Sequence, residues 1–172
     1  IMISKKVEDA INVQIMNEEH SSRIYMAMAS WCETSGFRGA ADWLYKQSDE
    51  ERMHMLKFIK YLNDRGGNAI LSALEAPAPK YKNLLEVFEQ VLKHEEFITA
   101  EINKLYEISL KEKDYTTGNF LQWYINEQIE EESTAHGILD KMKLVGSDKA
   151  GMFHIDKDLE MQAAAKVIDP ME

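Results

Sequence analysis

The residues with the clearest chemical potential form two matching sets along the chain. Each set has one acidic residue, followed at a fixed distance by two polar residues three positions apart. The first set is Glu18 with Glu51-x-x-His54, and the second is Glu95 with Gln128-x-x-Glu131. The separation within each set is 33 residues (51 − 18 and 128 − 95). Residues three apart on a helix share one face, so each pair can bind the same ion.

These polar residues interrupt stripes of apolar residues that have helical spacing. Ile11, Ile15 and Tyr25, for example, fall on the same helical face as Glu18. Folding therefore carries carboxylates and an imidazole into a core, which is costly unless a partner neutralises them. A pair of metal ions is the simplest such partner. Carboxylate and imidazole ligands without a thiolate favour iron or manganese over a structural zinc ion.

Helical periodicity runs through almost the whole chain and predicts an all-α fold. The stripes predict helices over about residues 5–34, 39–65, 82–112, 115–145 and 153–167. Residues 68–81 contain Pro77 and Pro79 and lack a helical period, and this connection is long enough to return along a helix of roughly 40 Å. The sequence therefore predicts one domain over residues 1–172. It is a four-helix bundle with one long crossover between the second and third helices and a short fifth helix at the C-terminus.

Composition and charge exclude several classes of partner. The chain has 172 residues, 30 acidic and 20 basic, and a formal net charge of −10. This balance argues against nucleic acid and anionic membranes as partners and suits a protein that attracts cations. The single cysteine, Cys32, cannot form an internal disulfide, and no stretch approaches the roughly 20 apolar residues of a membrane span. The first residues lack a signal-peptide pattern, so we expect a cytoplasmic protein.

At these positions the sequence resembles the non-haem bacterial ferritins, and the resemblance covers nearly the whole chain. Five separated segments carry it, in order and at the expected spacing: 17–22, 49–54, 93–95, 120–132 and 155–159. The resemblance implies the ferritin-like bundle and an iron-storage protein with ferroxidase activity. Such a protein oxidises Fe(II) with O2 or H2O2 and deposits Fe(III) mineral inside a hollow homo-oligomeric shell of twenty-four subunits.

The resemblance also assigns ligands to two irons by position. It places Glu18, Glu51 and His54 on the first iron, with Glu51 bridging to the second. It places Glu95 and Glu131 on the second iron. Both irons therefore lie between the four long helices.

A third iron and a tyrosine are implied in the same way. The positions that correspond to the ligands of the additional iron are Glu50, Glu127, Glu130 and Glu131. Without the resemblance, these glutamates would be interpreted as solvent-exposed acidic residues of the surface. Tyr25 corresponds to the site tyrosine, which donates an electron or orients a ligand; ordinary packing of its ring in the core is an equal alternative.

Two positions differ from related proteins. One lies in the second ligand pair, and the other lies where haem-binding relatives have a methionine. Gln128 stands where a second Glu-x-x-His would have a carboxylate, so it acts as a weak ligand or as a hydrogen-bond donor beside the second iron. A weak second side favours passage of iron over permanent retention. Arg52 occupies the position of the haem-ligating methionine of related proteins, so we expect no haem.

Two other functions fit the same bundle. The first is a rubrerythrin-like or other di-iron oxidase or peroxidase, which Gln128 and the single cysteine disfavour. The second is a helical interaction protein without catalytic activity, whose buried polar groups pair with one another. Metal binding distinguishes the second from the others, because a ligand of the native state raises its stability.

Overall fold

The computed structural model describes residues 2–168, which contain five α-helices and no strand. The helices are α1 Lys5–Thr34, α2 Arg38–Asp64, α3 Leu84–Lys111, α4 Tyr115–Val145 and α5 Lys149–Ala165. This confirms the all-α prediction. The prediction of a single domain over 1–172 extends beyond the described residues at both ends and stays a prediction.

Contacts at one end of the bundle establish the helix directions. The start of α1 meets the end of α2, where Ile3 N donates to the Arg65 carbonyl oxygen at 3.3 Å. It also meets the end of α3, where Ser4 Oγ donates to Glu112 at 3.2 Å. Arg65 pairs with Asp114, the N-cap of α4, at 3.1 Å. Hence α2 and α3 run in one direction and α1 and α4 in the other, and two parallel helices need a long connection.

The crossover between α2 and α3 runs back along α1. Asn12 holds it through two hydrogen bonds, from its Nδ2 to the Asn68 carbonyl oxygen (3.0 Å) and from Ile70 N to its Oδ1 (2.7 Å). Glu8 accepts a third from Asn68 N at 2.8 Å. The predicted topology, a four-helix bundle with one long crossover, is therefore confirmed.

The fifth helix begins at Lys149, four residues before the predicted start at 153. Asp148 caps it, because its side chain accepts a hydrogen bond from Gly151 N at 3.0 Å. The helix then packs against the start of α2, where Asp156 accepts from Gly39 N (3.2 Å) and Ala40 N (2.8 Å). A side chain at Gly39 would place its Cβ 1.8 Å from the Asp156 carbonyl oxygen, so this close approach requires glycine.

The apolar core has two separate clusters, one towards each end of the bundle. The cluster beside α5 includes Tyr25 and Val91, and the cluster beside Arg65 includes Ile15 and Ile98. Every long helix contributes to both clusters. Each helix changes from one cluster to the other at its predicted site residue, so a polar layer separates the two.

Candidate metal centre

The strongest ligand set in the polar layer joins α1 and α2. Side-chain atoms of Glu18, Glu51 and His54 all lie within 4.8 Å of one another. His54 Nδ1 is 3.3 Å from Glu51 Oε2 and 3.9 Å from Glu18 Oε2. All three side chains are buried, with at most 4% of the surface exposed. Two carboxylates and one imidazole nitrogen at this spacing can hold one divalent cation.

Neighbouring side chains hydrogen bond to two of these three residues. Gln14 Nε2 donates to Glu18 Oε1 at 2.8 Å, whereas Glu18 Oε2 is buried and has no hydrogen-bond partner among residues 2–168. Tyr124 OH donates to the backbone carbonyl of His54 at 2.7 Å. Native structures rarely leave a buried carboxylate oxygen unsatisfied, so this oxygen of Glu18 fits the role of a cation ligand.

The electrostatics of the layer also favour a cation. Burial raises the pKa of Glu18 well above its ordinary value, and the charge of Glu51 raises it further. Burial likewise raises the pKa of Glu51, with added repulsion from Glu95 and Glu131. Burial and mutual repulsion thus disfavour the charged carboxylates, and a bound metal ion would stabilise their deprotonated form.

On the opposite side of the layer, α3 and α4 contribute Glu95, Gln128 and Glu131. Glu95 accepts hydrogen bonds from Tyr25 OH and from Gln128 Nε2, the latter at 3.1 Å. Gln128 is thus a hydrogen-bond donor here. Glu131 accepts from Gln47 Nε2 at 2.9 Å. Burial, together with the charges of Glu95 and Glu50, raises the pKa of Glu131 to about 8.

The predicted third-iron residues are only partly assembled. Glu50, Glu127 and His54 form a second group whose ligand atoms lie within 4.8 Å, with His54 Nε2 4.0 Å from Glu127 Oε1. Glu131 lies close enough to interact with Glu50 electrostatically. Glu130 is exposed and belongs to neither group. His54 therefore touches both groups, one with each ring nitrogen.

Sequence reasoning missed several polar residues that complete the layer. Gln14 and Gln47 are buried and bind Glu18 and Glu131. Each lies four positions before a buried glutamate (18 − 14 and 51 − 47), so the helical stripe itself held this signal. Lys166, which forms an ion pair with Glu50, had no such signal, because it is far from the layer in sequence.

A surface groove between α3 and α4 reaches the Gln128 side of the layer. Gln128 Nε2 lies 3.2 Å from Thr99 Oγ1, and Thr99 donates to Glu132 at 2.6 Å. The groove is lined by Thr99, Ile102, Asn103, Ile125, Gln128, Ile129 and Glu132. Gln128 therefore lines a groove that is open to solvent.

The fold and the polar layer together define a ferritin-like helical bundle. The chain belongs to this family, because the family model for the ferritin-like domain matches residues 8–145. Among curated relatives, the chain is 47% identical over 158 residues to a probable bacterial non-heme ferritin-like protein of Haemophilus influenzae, which covers 92% of this chain and 96% of the relative. It is 41% identical over 165 residues to the bacterial non-heme ferritin of Campylobacter jejuni, covering 96% and 99%.

Solved structures agree with this assignment. An open pore ferritin from the hyperthermophilic archaeon Archaeoglobus fulgidus matches with a TM-score of 0.91 and 40% identity, covering 92% of this chain and 97% of that one. The resemblance to non-haem bacterial ferritins is thus confirmed. No helix within residues 2–168 is long and apolar enough to cross a lipid bilayer.

Proposed function

We propose that this protein stores iron and oxidises Fe²⁺ in the polar layer, with O2 or H2O2 as the oxidant. The observation that carries the proposal is the buried group Glu18, Glu51 and His54, whose ligand atoms converge within 4.8 Å and leave one carboxylate oxygen unsatisfied. The relatives' names, bacterial non-heme ferritin, support the same function. Fe(III) then passes to a mineral inside a hollow shell of twenty-four copies in the cytoplasm.

In this proposal the two sides of the layer bind one Fe²⁺ each. Glu18, Glu51 and His54 hold the first ion, and Glu51 extends to the second, which Glu95 and Glu131 hold. Two ions about 3.5 to 4 Å apart can deliver electrons together. Each Fe²⁺ gives one electron, and the two electrons with two protons reduce O2 to H2O2, or H2O2 to water.

Two further residues support the ligand Glu95 in the proposal, and a separate group of glutamates would hold a third iron. Tyr25 donates its hydroxyl proton in a hydrogen bond to Glu95, which supports orientation of that ligand. Gln128 donates to the same carboxylate and is a weaker ligand than a glutamate would be. A third iron would use Glu50, Glu127 and Glu131, with Glu130 as a more distant group.

The test measures Fe²⁺ oxidation by protein prepared without metal. The protein is loaded with Fe²⁺ and mixed with O2, and the absorbance is recorded by stopped flow. Removing an outer partner of a metal ligand already costs tenfold or more, so Glu51→Ala and His54→Ala should slow oxidation at least about tenfold. Asp49→Ala is the matched control, because Asp49 is an exposed acid on the same helix.

Size-exclusion chromatography of the same samples tests the assembly, and we expect elution far above the mass of one chain. Equal oxidation rates in Glu51→Ala and the wild type would refute the assigned site. A protein that remains a monomer and does not oxidise Fe²⁺ would refute the whole proposal.

A further inference from the structure

A lysine from the end of α5 reaches into the acidic group beside the two-iron site. Lys166 is the C-cap of α5, and its ammonium forms an ion pair with Glu50. It also donates a hydrogen bond to Gln47 Oε1. The side chains are largely enclosed, 28% exposed for Lys166 and 17% for Glu50. The contact is therefore more than a flexible surface ion pair.

Gln47 extends the influence of this ammonium to the di-iron ligands. Its Oε1 accepts from Lys166, and its Nε2 donates to Glu131 Oε2 at 2.9 Å. The positive charge of Lys166 also acts on Glu127. One ammonium thus interacts with the carboxylates that would surround a third cation: Glu50 directly, Glu131 through Gln47, and Glu127 through space.

The docking of α5 determines where this ammonium lies. Asp156 binds the first amides of α2, and Gly39 allows α5 to approach closely. Lys166 itself follows the last helical residue, Ala165, and has an extended backbone (φ −73°, ψ 120°). The side chain can therefore leave Glu50 by rotation of its own bonds, without breaking the hydrogen bond from Lys166 N to the Gln162 carbonyl oxygen.

We propose that Lys166 is a tethered competitor for the third cation, so that a divalent ion binds Glu50 only when the lysine ammonium withdraws. The inference rests on the proposed function, since the third cation is part of it. An ammonium paired with a carboxylate oxygen blocks the approach of a metal ion to that oxygen, and two cations repel each other at this distance. Lys166 thereby sets the affinity for the third ion, and among the ligands of the first two ions it acts on Glu131.

The first experiment is a calorimetric titration of the metal-free protein with Zn²⁺, which is not oxidised. Lys166→Met removes the charge and keeps an unbranched stem, and we expect the third ion to bind about tenfold more tightly, because a nearby unit charge is lost. Lys166→Arg keeps the charge and should bind like the wild type. Lys157→Met is the matched control, because Lys157 lies on α5 and pairs with Glu160, away from the layer.

The second experiment uses the wild-type chain and follows the lysine directly. Acetylation by an amine-reactive reagent, read by peptide mass spectrometry, should be faster at Lys166 once Zn²⁺ fills the third site. Labelling of Lys157, which is 54% exposed, should not change. Glu50→Gln should abolish the effect of Zn²⁺ on Lys166, because the third ion then loses its ligand. Thermal melting verifies that each variant is folded.

The outcomes separate this inference from the proposed function. Unchanged or weaker binding of the third ion in Lys166→Met overturns the inference, and so does Lys166 labelling that ignores Zn²⁺. A third ion that is undetectable in both the wild type and Lys166→Met also overturns it. If the wild type fails to bind even the first two ions, the proposed function itself is wrong.

Discussion

Replacing the titratable carboxyl group of Glu131 should change how the stability of the protein without metal depends on pH. Glu131 is 7% exposed, and its burial next to Glu95 and Glu50 raises its pKa to about 8, from an ordinary value of 4.5. The folded state then holds a proton that the unfolded chain releases. Stability from this group is fully present below pH 4.5 and is lost as the pH rises through about 8.

The size of the effect follows from these two pKa values. At about 1.36 kcal/mol for each pH unit, the interval from 4.5 to about 8 corresponds to a loss on the order of 5 kcal/mol. The part that falls between about pH 6 and about pH 8 is roughly 3 kcal/mol. Glu131→Gln removes this dependence, while its amide oxygen can still accept the hydrogen bond from Gln47.

The assay is thermal unfolding with a chelator, followed by circular dichroism between about pH 6 and about pH 9. For a chain of this size, the melting temperature falls by roughly 2 to 4 °C for each kcal/mol of lost stability. The wild-type melting temperature should therefore fall by about 10 °C relative to Glu131→Gln. Asp140→Asn, an exposed position on the same helix, should follow the wild type. Saturating Zn²⁺ should reverse the trend, because the metal binds the deprotonated carboxylates. Parallel curves for the wild type and Glu131→Gln would refute the assigned burial and repulsion.

Three further substitutions test the fold around the layer. Gly39→Ala should lower the free energy of unfolding, measured by chemical denaturation, by about 1 to 3 kcal/mol. The added Cβ would lie 1.8 Å from the backbone of Asp156. An unchanged midpoint would contradict the close packing of α5. Gly137→Ala on α4 should raise the free energy of unfolding by roughly 0.5 to 1 kcal/mol, because the added Cβ has no neighbouring atom within 4 Å. A lower free energy of unfolding would show an unrecognised contact. Tyr124→Phe should destabilise by about 0.5 to 1.5 kcal/mol, because the side-chain hydrogen bond to the buried His54 carbonyl is lost; wild-type stability would contradict that hydrogen bond.

The sequence predicts the bundle well because local rules and the global fold agree there. Apolar stripes indicate the four long helices, and the proline-containing connection before Tyr81 requires two parallel helices. The predicted start of α5 was wrong. The sequence pattern placed Asp148 at the end of α4, whereas its side chain caps α5. Here the cap residue carried more information than the apolar period.

The candidate site was predictable only in its buried carboxylates and histidine. Charged residues on apolar stripes stand out in a single sequence, so Glu18 and Glu51 could be found without a structure. The partners of these residues could not, since Lys166 meets Gln47 across 119 positions of the chain. Such contacts depend on how α5 docks, which no local pattern specifies.

The division of the core into two clusters separates the demands of architecture from those of chemistry. Each end of the bundle has its own set of aromatic and aliphatic contacts, so most of the apolar packing lies outside the polar layer. Substitutions in the layer alter charge and ligation within one slab of the protein. The amide of Gln128, in place of a carboxylate, therefore changes the charge of the layer while both apolar clusters keep their contacts.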